Sequence, residues 1–386
     1  MGFQTQIREA LSELDAAGLL RRPLQISGPQ GPEVDIDGQR VLCFCSNNYL
    51  GLADHPALVD ALASAQGEGV GAAASRLISG TMDAHRDAEA AYADFLGTPA
   101  AVLFSTGYAA NVGTVQALAG TGDIIFSDAL NHASLIDGCR LSRANVRVYA
   151  HRNVDHLGSL LREHRPRAGR ALIITDSLFS MDGVIAPLRE IAELARSFDA
   201  GLMVDEAHAL GVFGPNGRGL SAELGIQPDV VVGTLGKAFG VAGAFVAASE
   251  EVVSLIRNRA RSFVYSTAPP PMLARAAIEA LRLVHEADDA RHALLENASE
   301  LRSQLRALGF DIPSENSQIL PVLIGENNRT MQLSAELLDK GVFVQGIRPP
   351  TVPEGTARLR LTPMATHRPE HIERAIDAFA SLVQNP

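Results

Sequence analysis

Short uninterrupted apolar runs alternate with helical segments through the middle of the chain. The runs are too short for helices and continuous rather than alternating, which is typical of strands buried on both faces of a mostly parallel sheet. They predict strands at Ala101–Phe104, Ile124–Phe126, Val146–Tyr149, Ala171–Thr175, Leu202–Val204 and Val230–Val232. Between residues 48 and 268 the alternation of strand and helix therefore indicates an α/β domain.

The pattern changes at both ends of this region. An amphipathic helix is predicted over Phe3–Leu20 and a strand near Val41–Cys45. From Pro271 to Leu308 the apolar period becomes helical, with one face formed by Leu294, Leu295, Ala298, Leu301, Leu305 and Leu308. Short strands at Gln318–Ile324, Val342–Ile347 and Ala357–Thr362 and two helices follow. We expect an N-terminal segment (1–47), a large domain (48–270) and a smaller α/β domain (271–386).

Composition narrows the classes of function. The formal charge of −11 disfavours a nucleic-acid or anionic-membrane partner. No apolar stretch has the ~18 residues of a membrane span and no signal peptide is evident, so we expect a cytoplasmic protein. Three cysteines without CxxC spacing argue against a disulfide framework or a metal site. Cys43 and Cys45 lie on one face of a predicted strand, and we interpret them as buried thiols.

Lysine is nearly absent from this chain. Of 33 cationic residues, only Lys237 and Lys340 are lysine, and the other 31 are arginine. Arginine stays protonated, whereas lysine becomes an amine nucleophile when its pKa falls. Lys340 precedes Gly341 at a predicted helix end, where a cation suits the helix dipole. Lys237 follows the strand Val230–Val232 and has no such explanation, so it is the candidate nucleophile.

Polar residues cluster after the predicted strands. Ligands of open parallel sheets bind at the carboxyl ends of the strands. The segments that follow the strands are Ser105-Thr106-Gly107-Tyr108, Ser127-Asp128 leading to His132, Asp176-Ser177 leading to Ser180, Asp205-Glu206-Ala207-His208 and Gly233-Thr234-Leu235-Gly236-Lys237. Hydroxyls, carboxylates, two histidines and the rare lysine therefore converge at one edge.

Four of these segments resemble a known family. NHASLIDG (131–138), DSLFSMDG (176–183), DEAHALGVFG (205–214) and GTLGKAFG (233–240) are similar to segments of the α-oxoamine synthases. These fold-type-I enzymes use pyridoxal 5′-phosphate (PLP) to join an amino acid to an acyl thioester with loss of carbon dioxide. The resemblance implies a large domain with a mostly parallel seven-stranded sheet between helices, a smaller C-terminal α/β domain, and a homodimer.

The resemblance also implies roles at the cofactor. Lys237 would bind PLP covalently and then act as the base at the amino acid's α-carbon. Asp205 would face the pyridine nitrogen, because an opposite charge raises a cation's pKa by ~1–3 units; the alternative is a helix N-cap. His208 would contact the phenolic oxygen, and His132 would stack on the ring and contact substrate. A purely structural role is the alternative for each histidine.

The phosphate of PLP is expected at a helix N-terminus. Gly107 and Tyr108 would offer their backbone N–H groups there. Ser180 and Thr234 would add hydroxyl groups, with an ordinary turn role as the alternative for each.

Besides His132, three residues are implied in substrate binding: Arg21, Thr351 and Arg360. Arginine binds a carboxylate with a fork of donors, so Arg360 is the choice for the amino acid's carboxylate. Arg358 lies on the same face of the predicted strand and remains an alternative.

The substrates follow from two segments. Ile347–Thr362 and Leu19-Leu20-Arg21-Arg22 most resemble the family member that condenses L-alanine with a pimeloyl thioester in biotin synthesis. Whether coenzyme A or an acyl carrier protein holds the acyl group stays open. Alternatives are sister synthases that use glycine or serine, and a catalytically silent subunit, which Lys237 disfavours. DEAH at 205–208 imitates a helicase motif, but the chain lacks the GxxxxGK[ST] loop of such motors.

Overall fold

A computed structural model describes residues 2–384. The strands are β1 Ile26–Ser27, β2 Glu33–Ile36, β3 Gln39–Cys43, β4 Ala100–Phe104, β5 Ile124–Asp128, β6 Asn145–Tyr149, β7 Ala171–Asp176, β8 Gly201–Asp205, β9 Val230–Thr234, β10 Ala244–Ala248, β11 Leu320–Gly325, β12 Val342–Phe343, β13 Gln345–Ile347 and β14 Ala357–Leu361. The helices are α1 Phe3–Ala16, α2 Pro56–Ser64, α3 Asp83–Leu96, α4 Gly107–Leu118, α5 Ala133–Ser142, α6 Val154–His164, α7 Leu188–Ser197, α8 Leu220–Glu223, α9 Glu250–Arg259, α10 Arg261–Val264, α11 Pro271–His285, α12 Asp288–Ala307, α13 Asn327–Asp339 and α14 Pro369–Gln384.

The chain forms two compact units. The larger comprises residues 50–180 and 184–291, and the smaller comprises residues 2–49, 181–183 and 292–384. The sequence placed Pro271–His285 in the smaller domain, but α11 packs on α2 and α3 of the larger unit. The N-terminal segment belongs to the smaller unit, because β3 pairs with β12. Both differences depend on contacts between residues far apart in sequence.

The larger unit is built on a seven-stranded sheet with the order β4-β10-β9-β8-β7-β5-β6. Strand β10 is antiparallel to β4 and β9, and the pairs from β9 to β6 are parallel, so the predicted mostly parallel sheet is confirmed. Every residue of β5, β7 and β10 is buried, which explains their continuous apolar sequences. The sequence did not predict β10, because its sequence AFVAA is rich in alanine, a residue depleted in strands.

The smaller unit contains two sheets, with the orders β1-β2-β3-β12 and β11-β14-β13. The predicted apolar face of α12 packs into its core: Leu294, Ala298, Leu301 and Leu305 are buried, while Leu295 and Leu308 are half-buried.

The first helix is shorter than predicted. It ends at Ala16, and Gly18 adopts the left-handed backbone conformation with φ of 65°. A Cβ atom at Gly18 would lie 2.2 Å from Oδ1 of Asn328, so the turn requires glycine.

Within residues 2–384, no helix combines the length and the apolar character needed to cross a membrane. No group of three metal-ligating side chains occurs in that part of the chain.

Candidate active site

Polar side chains line a cavity of about 190 Å³ in the larger unit, at the carboxyl ends of the central strands. The cavity walls include all but one of the residues predicted to contact the cofactor: Gly107, Tyr108, His132, Asp205, His208, Thr234 and Lys237. Ser180 is the exception among the described residues; it is half-buried in the turn after β7. These side chains converge because β5, β7, β8 and β9 are parallel neighbours and end at the same edge.

Lys237 lies in the connection between β9 and β10. Its Nζ atom is 2.7 Å from Nε2 of His208. The connection is held by backbone hydrogen bonds, among them Leu235 N to Gly243 O at 2.9 Å and Gly240 N to Lys237 O at 2.9 Å. At Gly233, just before this connection, a Cβ atom would lie 2.5 Å from Leu210 and Phe245. Glycine therefore allows β9 to pack closely where it presents the lysine.

Asp205 is buried and makes a hydrogen bond through each carboxylate oxygen. Oδ1 accepts from Ala207 N at 2.9 Å, which is an Asx turn rather than a helix cap, because turns follow β8. Oδ2 accepts from Nδ2 of Asn111 at 2.6 Å. The turn bond therefore accounts for one oxygen and the Asn111 amide for the other, and Asp205 lines the cavity.

A hydrogen-bonded chain connects Asp205 to His132. Nδ2 of Asn111 also donates to Oγ of Ser134 at 2.9 Å, and this oxygen lies 2.7 Å from Nδ1 of His132. His132 also caps α5, since Nδ1 accepts from Ser134 N at 3.3 Å. The chain fixes the orientation of the imidazole relative to the carboxylate.

Asp176 forms a second buried carboxylate beside Asp205. The two residues are register partners on the parallel strands β7 and β8. Oδ2 of Asp176 accepts from His132 N at 2.8 Å. Burial raises the pKa of Asp176 well above its usual value, and the charge of Asp205 adds to this. Burial also lowers the pKa of His132, which favours the neutral imidazole.

The N-terminus of α4 opens onto the same cavity. The Thr106 hydroxyl caps this helix by accepting from Ala109 N at 3.1 Å. Gly107 and Tyr108 are the first helical residues, whose N–H groups have no acceptor within the helix. Oγ1 of Thr234 donates to Gly243 O and accepts from Gly236 N, each at 3.3 Å. The cavity is therefore bordered by a helix N-terminus, an arrangement that suits an anion.

The predicted substrate residues other than His132 lie in the smaller unit. Nη2 of Arg21 donates to Pro349 O at 3.1 Å, and Thr351 is exposed. Arg358 and Arg360 are both buried on β14. Nη1 of Arg358 forms an ion pair with Asp182 at 2.5 Å, whereas Nη2 of Arg360 donates to Oδ1 of Asn47 at 3.2 Å.

The sequence assigned no role to Asp176, Asn111 or Ser134. Asp176 is the last residue of β7, as Asp205 is of β8, so the rule that found Asp205 also points to it. Asn111 lies one turn inside α4 and Ser134 in the first turn of α5. Neither residue has a sequence signal that distinguishes it from an ordinary helical residue.

Comparisons with known proteins show the family to which the chain belongs. Residues 39–379 match the family model described as aminotransferase class I and II. The chain belongs to this family of fold-type-I, PLP-dependent enzymes, and within it to the α-oxoamine synthases. It is 50% identical to the 8-amino-7-oxononanoate synthase of Geobacter metallireducens over 380 residues, 97% of each chain.

Two solved structures are also similar. A serine palmitoyltransferase from S. paucimobilis, solved with PLP and myriocin bound, has a TM-score of 0.93 and 32% identity, covering 99% of this chain and 98% of its own. The 8-amino-7-oxononanoate synthase of Francisella tularensis has a TM-score of 0.76 and 29% identity, covering 89% and 98%.

The chemistry of the donor set fits PLP. Lys237 supplies a primary amine, Asp205 a buried carboxylate for a protonated ring nitrogen, and the N-terminus of α4 donors for a phosphate. PLP is the cofactor of this enzyme class, and the cavity in the larger unit is the candidate site for it.

Proposed function

We propose that this protein condenses L-alanine with a pimeloyl thioester, releasing 8-amino-7-oxononanoate, carbon dioxide and a free thiol, as a step of biotin biosynthesis. The main observation behind the proposal is that the Lys237 amine contacts His208 in a cavity that Asp205 also lines. The full-length similarity to 8-amino-7-oxononanoate synthases supports this choice of substrates.

Proton transfer is assigned to Lys237. Bound PLP supplies an electron sink for the pair that remains when a proton or carbon dioxide leaves the α-carbon. Lys237 would take the α-proton and later return one, and the His208 ring nitrogen at 2.7 Å would hold the amine in position. Asp205 would keep the ring nitrogen protonated, and His132 would face the ring with an imidazole fixed through Ser134.

Arg360 is proposed to bind the carboxylate of alanine. Arg358 is the alternative, but its guanidinium already pairs with Asp182 and donates to the carbonyl oxygens of Met181 and Thr356. Losing those contacts would leave Asp182 without its cation. The ion pair therefore favours Arg360 for the substrate.

Arg360→Ala is expected to raise the KM for alanine about 10–100-fold, because a hydrogen bond to a charged group contributes ~1.5–3 kcal/mol. Arg360→Lys keeps the charge but loses the fork, and we expect an intermediate KM. Steady-state kinetics with alanine as the varied substrate measure both. Arg358→Ala is the matched variant on the same strand: it should lower the melting temperature and change KM less. A larger KM effect at Arg358 than at Arg360 would reverse the assignment.

Arg21 and Thr351 are proposed to contact the pimeloyl thioester. Arg21 already meets the loop that carries Thr351 through the carbonyl of Pro349. A fixed cation there suits the distal carboxylate of a pimeloyl group. Coenzyme A and an acyl carrier protein are both candidate carriers.

A matrix of amino acids and acyl thioesters tests the substrates. We expect alanine to exceed glycine and serine, and pimeloyl to exceed acetyl, succinyl and palmitoyl thioesters. Each methyl or methylene group changes the free energy by only ~1–3 kcal/mol, so neighbouring chain lengths should react measurably. The readout is the aminoketone product identified by mass spectrometry. Faster synthesis from glycine and acetyl-CoA would leave the PLP chemistry in place and assign the protein to a sister synthase.

Serine palmitoyltransferase activity is the second candidate, because the structural similarity to the S. paucimobilis enzyme extends over 99% of this chain. Its sequence identity of 32% is lower than the 50% of the Geobacter synthase. Serine with palmitoyl-CoA is therefore the comparison that decides between the two.

The assembly is proposed to be a homodimer that acts in the cytoplasm. The apolar side chains of Phe3, Ile7, Leu11 and Leu14 on α1 are exposed, which supports contact with a second copy. Light scattering would test this, and a monomeric mass would contradict it.

A further inference from the structure

Two of the three cysteines lie close together in the smaller unit. Cys43 ends β3, and Cys45 follows at a bend of the chain. Their Sγ atoms are 3.9 Å apart, and one thiol donates a hydrogen bond to the other. A disulfide needs a distance of about 2.05 Å, so the sulfurs must approach by roughly 1.9 Å.

The backbone before Cys45 is held on both sides. Cys43 N donates to Pro32 O at 2.8 Å, and Phe44 N donates to Phe343 O at 2.9 Å. The carbonyl of Phe44 accepts from Thr362 N at 2.7 Å, and its ring stacks on His367 at 4.2 Å. Closure of a disulfide would therefore move Cys45 rather than Cys43.

The hydrogen bond between the two thiols changes their acidity. It lowers the pKa of Cys43 to about 7. The same bond and burial raise the pKa of Cys45. The lowered pKa of Cys43 favours the thiolate at that sulfur over Cys45, and the thiolate is the nucleophilic form.

We propose that Cys43 and Cys45 form a reversible thiol–disulfide modification site. The thiolate attacks a peroxide, the O–O bond breaks, and a sulfenic acid forms as hydroxide leaves. The second sulfur then attacks this sulfur, the S–S bond forms, and water leaves. Two thiols are oxidised while one hydrogen peroxide becomes two waters, and a small thiol reverses the reaction. A disulfide formed against the held backbone is strained, which is typical of labile rather than structural bonds.

The modification is positioned to affect Arg360. Cys45 precedes Ser46 and Asn47, and Oδ1 of Asn47 accepts from Nη2 of Arg360 at 3.2 Å. Movement of Cys45 would shift Asn47 and with it the guanidinium. This consequence rests on the proposed function, in which Arg360 binds the carboxylate of alanine. We expect the oxidised enzyme to have an alanine KM about fivefold higher, with a smaller change in kcat.

The test uses the full-length holoenzyme treated with hydrogen peroxide, alkylated and digested with trypsin. The peptide covering residues 41–76 carries both cysteines and lacks Cys139. In the oxidised protein this peptide should carry no alkyl group and be about 2 Da lighter than the unalkylated dithiol peptide. Reduction with dithiothreitol before alkylation should instead give the peptide with two alkyl groups. Cys43→Ser and Cys45→Ser should each abolish the change. Cys139→Ser is the matched control and should retain it, because burial raises the pKa of Cys139 to about 12.

Three outcomes would overturn the proposal: no mass loss, a peptide that gains only oxygen, or the same loss in Cys45→Ser. An unchanged alanine KM in the oxidised protein would overturn the coupling to Arg360. The mass measurement does not use activity, so it separates the modification site from the substrate assignment.

Discussion

Lys237→Ala is expected to lower turnover about 10⁴-fold or more, because the amine is proposed both to bind PLP covalently and to transfer the α-proton. Borohydride treatment of the wild-type protein should attach PLP to Lys237 and to no other residue. Mass spectrometry of the reduced, digested protein measures this directly. In Lys237→Ala, PLP should remain bound without the covalent link, through the N-terminus of α4 and Asp205.

Two substitutions by arginine provide the controls. Lys237→Arg keeps a cation beside His208 but cannot act as an amine nucleophile, so it should be as inactive as the alanine variant. Lys340→Arg changes the other lysine, at the C-terminal end of α13, and should leave activity unchanged. Label on Lys340 would contradict the assignment.

Asp205→Asn is expected to lower the rate of α-proton exchange of alanine at least about a hundredfold, because it removes the charge that is proposed to stabilise a protonated ring nitrogen. The asparagine amide cannot accept from both Ala207 N and Nδ2 of Asn111 as the carboxylate does. We therefore also expect a loss of stability of ~1–3 kcal/mol. Proton NMR in D₂O measures the exchange, and thermal unfolding measures the stability.

Asp176→Asn is the matched control for charge at the same sheet edge. Oδ2 of Asp176 accepts one hydrogen bond from His132 N, which the asparagine carbonyl can also accept. Exchange should therefore fall much less than in Asp205→Asn. Wild-type exchange in Asp205→Asn, or an equal loss in both variants, would show that Asp205 does not act on the ring nitrogen.

The sequence predicted much of the larger unit because local pattern determines it. Six of the seven strands of the main sheet were found from apolar runs, and each observed strand lies within two residues of its prediction. The residues after these strands, with Lys237 foremost, were then recognisable as candidates. Ser180 was the exception among the predicted cofactor contacts. It lies in the turn after β7 and is not among the described residues that line the cavity.

The smaller unit shows where local pattern fails. Its sheets join segments as distant as β3 and β12, so the domain boundary predicted at residue 270 had no local signal that could place it correctly. The observed boundary lies between Arg291 and His292, near the start of α12. Strand and helix types were nevertheless recognised, because burial on one face leaves a periodic pattern in each segment.

The sequence by itself determined the chemical class of the site: a nearly unique lysine, an aspartate and two histidines follow buried strands, and the type of each residue sets its chemistry. Only the tertiary structure decided which partners orient them. Asn111 connects Asp205 to Ser134 and through it to His132 by hydrogen bonds. Asp176 lies beside Asp205 on the neighbouring strand, and Asp182 forms an ion pair with Arg358. These contacts join residues on separate strands and helices, and hydrogen bonds and ion pairs depend on distances that no local sequence pattern encodes.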